Sequence, residues 1–452
     1  MDETDWLSFR KYAERVRCMQ IWGHATCVPP LVKQSLTASL ERCSGDRLLI
    51  FPKLTKFDWR ETAYSSSDDS GIPLFKYFIG PAVTTIALSF IRLQVPSASE
   101  WAMLSDLPNL CPSVTSFTSF FSCPQPYDPS QQVGYMVTQW ERLRSLRSCV
   151  IPQFNMNKLA SQRTLETLGI EINISSPLHV DRIPDTVREL LLSPRDTSLC
   201  TRYLQNVHGS PTTCSLFIGM NHVEEAEIEA LFLLLPLRLD TSCLKHLTIQ
   251  PRSVFARTRL SELPKLSIPL IPPLCQFSQL RELDMDLFCA SHLRDVEYAR
   301  LAKSWAHLRH LKIGTAKLSS VIRPSPAASV AAVIAVVTYC PHLETLGIAF
   351  DGTIPPPPSL TRLALEAPQE WAGNDERPST VTAAESGDLV PEGWGVPNTC
   401  IAKLHVGYSP IANATLGILM SCLKSLMPCL KEIKHHGLDK RWCIVQKVLT
   451  NS

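Results

Sequence analysis

The sequence lacks the features that mark membrane-spanning or nucleic-acid-binding chains. Its 44 Lys and Arg residues nearly balance 42 Asp and Glu residues, for a formal net charge of +2. A basic patch able to attract nucleic acid or an anionic membrane is therefore not expected. The longest apolar runs, residues 230–237 and 327–337, are shorter than the roughly 20 residues that a membrane span requires. We expect neither a nucleic-acid partner nor membrane association.

The sixteen cysteines contain no C-x-x-C pair, and no apolar signal stretch opens the sequence. Cysteines scattered through so long a chain do not indicate a disulfide framework. Several of them, such as Cys111, Cys243 and Cys340, stand beside apolar motifs, where a free thiol behaves as a small hydrophobic group. These features predict a reducing compartment, and hence a cytoplasmic or nuclear location.

Signatures of several enzyme classes are also missing. The sequence contains no G-x-x-x-x-G-K-[ST], G-x-G-x-x-G, H-E-x-x-H or G-x-S-x-G motif. No glycine-rich phosphate loop follows any predicted strand. We therefore expect no enzymatic activity, no cofactor and no metal site.

What the sequence does contain is a repeated apolar motif. Residues 305–313, WAHLRHLKI, place Leu308, Leu311 and Ile313 in the spacing L-x-x-L-x-L. With any apolar residue allowed and weaker copies included, fourteen units begin at Leu54, Val83, Val114, Leu143, Leu165, Val187, Thr213, Leu244, Leu280, Leu308, Leu343, Leu360, Ile401 and Leu430. The mean step of about 29 residues lies within the range of leucine-rich repeats.

This repetition predicts the fold. One strand per repeat cannot bury its apolar face alone, whereas stacked copies can. Helices predicted at 224–235, 293–305 and 327–337 each precede a strand, which favours parallel strands with right-handed crossovers. We predict an α/β leucine-rich-repeat solenoid over residues 46–450, with a curved parallel sheet, outer helices and irregular repeats. The alternative is an ordinary α/β domain, whose buried strands also show L-x-L.

Two segments depart from the repeat pattern. Residues 1–45 show apolar residues at helical spacing, and two predicted helices, at 1–20 and 29–43, would cap the first repeat. Residues 367–399 are rich in Pro, Gly, Ser, Thr and acidic residues, which predicts a disordered insertion within the solenoid. A tolerated loop and a binding lid are the two interpretations of that insertion.

The order of the motifs resembles the F-box/leucine-rich-repeat proteins of mushroom-forming (basidiomycete) fungi. The resemblance rests on the helix W-x-x-F-x-x-Y-A-x-R-V-R at 6–17, the repeat FPKLTKFDW at 51–59, and units such as CPSVTSF and CPHLETLGI. It covers nearly the whole chain. In that family the F-box recruits the Skp1 adaptor of a cullin ubiquitin ligase, and the repeats hold the substrate. The resemblance therefore implies a ubiquitin ligase adaptor, although the F-box itself, with its L-P-x-E-type opening, is not recognisable.

Outward strand positions of the central repeats are the candidate binding residues. Side chains alternate along a strand, and the outward set of a curved sheet forms a concave binding face. The candidates for binding a protein partner are His246, Gln250, Glu282, Asp284, Asp286, His310 and Lys312. A solvated face whose opposite charges pair is an alternative. There are two further alternatives for the function of the chain. One is a scaffold that recruits no ligase, and the other is an enzyme that uses Asp284, Asp286 and His310.

Overall fold

A computed structural model describes the chain over residues 3–24, 38, 49–62, 75–91, 97–122, 128–173, 182–219, 225–252, 265–266, 268–288, 290–315, 325–355, 397–436 and 440–450. The chain divides into two compact units. Unit 1 comprises Met1–Gly219 with Arg238–Asp240, and unit 2 comprises Met220–Leu237 with Thr241–Ser452.

Unit 1 contains eight parallel strands among its described residues, and each pairs with the next in chain order. The strands are β1 (Cys18–His24), β2 (Lys56–Thr62), β3 (Thr85–Ile91), β4 (Ser116–Ser122), β5 (Ser145–Cys149), β6 (Thr167–Ile172), β7 (Glu189–Pro194) and β8 (Thr213–Ile218). The helices are α1 (Glu3–Ala13), α2 (Phe75–Phe78), α3 (Ala98–Ser105), α4 (Leu107–Leu110), α5 (Ser130–Val137), α6 (Gln153–Gln162) and α7 (Thr197–Asn206).

Unit 2 follows the same plan with six parallel strands in its sheet. They are β9 (His246–Pro251), β11 (Glu282–Asp284), β13 (His310–Ile313), β14 (Thr345–Ile348), β15 (Lys403–Gly407) and β16 (Glu432–His435), paired in that order. A separate short parallel pair joins β10 (Lys265–Leu266) to β12 (Ala290–Ser291). The helices are α8 (Glu225–Arg238), α9 (Ile271–Cys275), α10 (Asp295–Ser304), α11 (Val330–Tyr339), α12 (Leu416–Leu426) and α13 (Lys440–Thr450), with a 3-10 turn at Ile268–Leu270.

The predicted leucine-rich-repeat architecture is confirmed within each unit. Thirteen of the fourteen predicted units coincide with strands of these sheets. Burial alternates as the motif requires: in β3, Ile86 and Leu88 are buried while Thr85 and Ala87 are half-exposed. The buried side chains form the core and the alternate ones line the half-exposed face of the sheet.

Polar side chains bond successive repeats together. In unit 1 the Trp140 indole Nε1 donates to the Cys111 carbonyl oxygen at 3.0 Å. In unit 2 the Asn398 amide Nδ2 donates to the Cys340 carbonyl oxygen at 2.9 Å. Each donor stands three residues before the first apolar position of its repeat. Its hydrogen bond satisfies a buried carbonyl group of the neighbouring repeat that comes earlier in the chain. Trp305 does the same for the Leu274 carbonyl at 3.2 Å.

The start of the sheet differs from the predicted helical cap. Helix α1 lies inside the first predicted helix, but β1 occupies Cys18–His24, within the segment 1–45, and pairs with β2. Val16, Met19 and Ile21 have the loosened L-x-x-L-x-L spacing, but the repeat search missed β1 because Val16 and Met19 also continue the helical spacing of the residues before them. The second predicted helix, 29–43, lies outside the described residues except for residue 38.

Strand β14 pairs directly with β15, with Thr345 opposite Lys403, so these two strands are neighbours in the sheet. The repeat predicted from Leu360 lies outside the described residues. Residues 356–396, which include most of the predicted insertion 367–399, lie outside the described residues. At the end of that predicted insertion, Asn398 is buried and belongs to the bonded repeat framework described above.

Candidate partner-binding face

Outward side chains of unit 2 form two cross-strand rows, which together we name the charged face. Strand register places one row in the order His246, Glu282, His310, Thr345, Lys403 and Glu432. The other row is Thr248, Asp284, Lys312, Gly347, His405 and Lys434. Buried leucine and isoleucine residues fix each strand from beneath. Because adjacent strands lie about 4.8 Å apart, these side chains are held in a regular array.

Five of the seven predicted site residues lie side by side in this array: His246, Glu282, Asp284, His310 and Lys312. The other two lie towards the carboxyl ends of the strands. Gln250 is half-exposed on β9, in the same alternation as His246. Asp286 follows β11 by two residues, just beyond the paired segment.

One ion pair and two histidine–carboxylate contacts link neighbouring strands. The His246 Nδ1 atom is 3.2 Å from Glu282 Oε2, and the Lys312 Nζ atom is 3.6 Å from Asp284 Oδ2. His310 Nε2 lies 3.9 Å from Glu344 Oε2. All these side chains are partly exposed to solvent, so each pair contributes at most about 1 kcal/mol. An incoming charged group can therefore displace one member at little cost.

Asp286 holds a turn. Its Oδ1 atom accepts hydrogen bonds from the backbone N–H and, at 2.7 Å, from the hydroxyl of Thr315, which follows β13. Thr315 is buried, so the carboxylate satisfies polar groups that would otherwise be costly to bury. Gly407 of β15 packs against the same threonine backbone.

The acid and histidine arrangement expected of an enzyme is not formed by these contacts. Asp284 pairs with Lys312, Asp286 bonds Thr315, and His310 approaches Glu344. Across the part of the chain that is described, no group of three or more His, Cys, Asp or Glu side chains could hold a metal ion. Within the same residues, no helix has both the length and the apolar character needed to cross a bilayer.

Sequence reasoning missed the last third of the charged face. Lys403, His405 and Lys434 continue the rows on β15 and β16. Burial of His405, together with the nearby Lys312 and Lys434 ammonium groups, lowers its pKa to about 4; the Glu432 carboxylate opposes this and His436 adds to it. Alternation around the motifs at Ile401 and Leu430 could have identified these residues.

Unit 1 presents a different surface at the equivalent positions. Its outward side chains are mainly small hydroxyl residues at neighbouring register positions, namely Thr85, Ser116, Thr118, Ser145, Thr167, Thr213 and Ser215. Charged residues are fewer there. Lys56, Asp58 and Arg60 follow one another at outward positions of β2, where Asp58 and Arg60 pair at 3.2 Å, and Arg147 lies on β5. Charge that continues from strand to strand at these register positions is thus a property of the described unit 2 sheet.

Comparison with known proteins gives no family assignment. No protein-family model matches the chain, and no curated protein matches it. Among solved structures, an internalin from Listeria monocytogenes aligns with 87% of this chain and 72% of its own, at 10% sequence identity and a TM-score of 0.30. The leucine-rich-repeat assignment therefore depends on this chain's own sequence repeat, parallel strand order and alternating burial.

Proposed function

We propose that the chain is a protein-binding leucine-rich-repeat module whose partner lies on the charged face of unit 2. The observation that carries this proposal is the pair of cross-strand rows, which presents acids, lysines and histidines on five of six adjacent parallel strands. A rigid array of this kind selects a partner by electrostatic complementarity and fixes its register. The module acts by binding, without catalysing a reaction.

His246, Gln250, Glu282, Asp284, His310 and Lys312 are the contact residues of this proposal, and Asp286 supports them through the turn at Thr315. Weak intramolecular pairs keep the charged groups in place before the partner arrives. Because each pair is partly solvated, exchange for a partner's charges involves only a small loss of electrostatic energy.

The finer proposal is that the bound protein is a substrate for ubiquitination. Its support is the resemblance of the motif order, from the helix at residues 6–17 through the repeats, to F-box/leucine-rich-repeat proteins of fungi. In this proposal the chain acts in the cytoplasm or nucleus and the repeats hold the substrate. A scaffold that recruits no ligase is the alternative.

The partner-binding proposal is tested by charge reversal. The double variant Glu282→Arg/Lys312→Glu keeps the net charge but rearranges the charged face. Its matched control, Thr85→Arg/Thr118→Glu, places the same two residue types at outward positions of unit 1. Immobilised wild-type chain is incubated with a cell extract, and bound proteins are cross-linked and mapped. We expect the captured proteins to be lost from the unit 2 variant, retained by the control, and cross-linked near β11 and β13. Equal retention by all three chains would refute the proposal.

Ubiquitin recruitment is tested separately with purified Skp1. Capture of Skp1 by the native chain, measured beside a version carrying a grafted F-box, would support the ligase role. Failure of the native chain alone to bind would remove that role and leave the binding module.

A further inference from the structure

We propose that Lys312, His405 and Lys434, arranged around Gly347, bind the carboxylates of an acidic, extended segment of the partner protein. We name these four residues the cationic row. The inference rests on the proposed function, since it specifies the chemistry of the partner that the charged face recognises.

The cationic row crosses four adjacent strands. Register places Lys312 opposite Gly347, Gly347 opposite His405, and His405 opposite Lys434. With about 4.8 Å between neighbouring strands, Lys312 and His405 stand about 10 Å apart at their backbones. Lysine side chains are long enough to converge on a group lying between these positions.

Gly347 lets the row pack closely. A Cβ atom added there would stand 3.1 Å from Cγ of Lys312 and 3.2 Å from the Leu311 carbonyl oxygen. The lysine stem therefore lies low over the glycine backbone, which is buried, while its ammonium group reaches Asp284. A partner group would contact the row from outside, through the partly exposed side chains of Lys312 and His405.

Positive charge predominates around β15 and β16. Lys403 and Lys431 make no ion pair with any residue that the structure describes, whereas Glu432 pairs with Lys434 at 3.5 Å. Lys431 is the residue just before β16, and its backbone N–H donates a hydrogen bond to the Ala402 carbonyl oxygen. Strands β15 and β16, with the residue before β16, thus carry three lysines (Lys403, Lys431 and Lys434) and one carboxylate, that of Glu432. Charge complementarity selects an acidic occupant.

The state of His405 is consistent with an anion site without its anion. Burial lowers the pKa of His405 most, Lys312 from β13, Lys434 from β16 and His436 beyond β16 lower it further, and Glu432 is the acid that opposes them. Strand β14 contributes only Gly347 at this position. A bound carboxylate would offset the two ammonium groups and favour uptake of a proton by His405. Binding should therefore strengthen as the pH falls from neutrality towards 5.

The test uses the full chain and a fluorescein-labelled oligoglutamate peptide, with binding measured by fluorescence anisotropy. We expect Lys312→Ala and Lys434→Ala each to weaken binding about tenfold, because each removes one charge-assisted contact. Asp284→Asn should strengthen binding about threefold, since it releases Lys312 from a competing carboxylate. Lys424→Ala, at an exposed position of α12, is the matched lysine control and should leave binding unchanged.

The pH dependence supplies a second readout. His405→Gln should abolish the strengthening of oligoglutamate binding between neutral pH and pH 5, while an oligoglutamine peptide should bind at neither pH. Circular dichroism establishes that each variant is folded. The inference is overturned if Lys312→Ala, Lys434→Ala and the Lys424→Ala control bind oligoglutamate equally. Preference for single-stranded oligouridylate over oligoglutamate would also overturn it, by identifying a nucleic acid.

The outcomes separate this inference from the proposed function. If cationic-row variants leave oligoglutamate binding unchanged while the Glu282→Arg/Lys312→Glu variant still loses its captured proteins, the acidic subsite is wrong and the protein-binding function stands. If the Glu282→Arg/Lys312→Glu variant retains all the captured proteins, the proposed function fails, regardless of the result with oligoglutamate.

Discussion

Replacement of Gly407 by alanine should destabilise unit 2 substantially. Gly407 has a φ of +58°, in the left-handed region that costs a residue with a Cβ atom about 1–2 kcal/mol. The added Cβ would also stand 2.9 Å from both the Cα and carbonyl oxygen of Thr315. These are backbone atoms, so the strand ends must shift, at a further cost of about 1–3 kcal/mol. We expect a total loss of about 2–5 kcal/mol in the free energy of unfolding.

A second glycine provides the control. Gly417 lies in α12, where an added Cβ would meet nothing within 4 Å. Gly417→Ala should therefore stabilise the same unit by about 0.5–1 kcal/mol, through the better helix propensity of alanine. Urea unfolding followed by hydrogen exchange of the β13–β16 amides measures both variants in unit 2 itself. A loss in Gly407→Ala smaller than about 0.5 kcal/mol would refute the close packing against Thr315.

Three other perturbations test the repeat framework and the charged face. Trp140→Phe should destabilise unit 1 by about 1–3 kcal/mol, because the Cys111 carbonyl loses its buried donor; hydrogen exchange of β4 and β5 measures this, and unchanged protection would contradict it. Burial raises the pKa of Cys111 to about 12, so iodoacetamide at mildly alkaline pH should label exposed Cys443 far faster, as read by peptide mass spectrometry; equal rates would contradict the burial. The His405 pKa is lowered from 6.5 to about 4, so stability should fall as the pH drops through this interval, because the unfolded histidine takes up a proton that the folded one disfavours. His405→Gln should reduce this fall in thermal melts, and an identical fall would refute the assignment.

The repeat made most of the fold predictable from sequence. In a stack of repeats each strand contacts its neighbours, so a local motif specifies both a strand and its partners. The motif at Leu308, Leu311 and Ile313 therefore predicted β13, its buried face and its outward residues together. Strand β1 was not identified in this way, because the spacing of Val16 and Met19 fits both a helix and the loosened motif. Its hydrogen bonding to β2 places it in the sheet as a strand.

The residues of the candidate site could be predicted only where the strand register could be predicted from the sequence. Outward positions on β9, β11 and β13 follow from alternation, and five of the predicted residues lie side by side in the cross-strand rows. The role of Asp286 did not follow, because its bond to Thr315 depends on the path of the chain after β13. Side-chain alternation specifies a face, whereas turn geometry decides which of its polar groups are already engaged.

The direct pairing of β14 with β15 determines the chemistry of the site. Cys340 and Asn398 hold equivalent positions in the repeats that contain these two strands, although 58 residues separate them, which is about twice the mean repeat. A register inferred from motif order alone would place the Leu360 unit between the two strands, and so put another row position between Lys312 and His405. Direct pairing of β14 with β15 instead leaves only Gly347 between them. The cationic row therefore depends on a strand pairing that motif order alone does not specify.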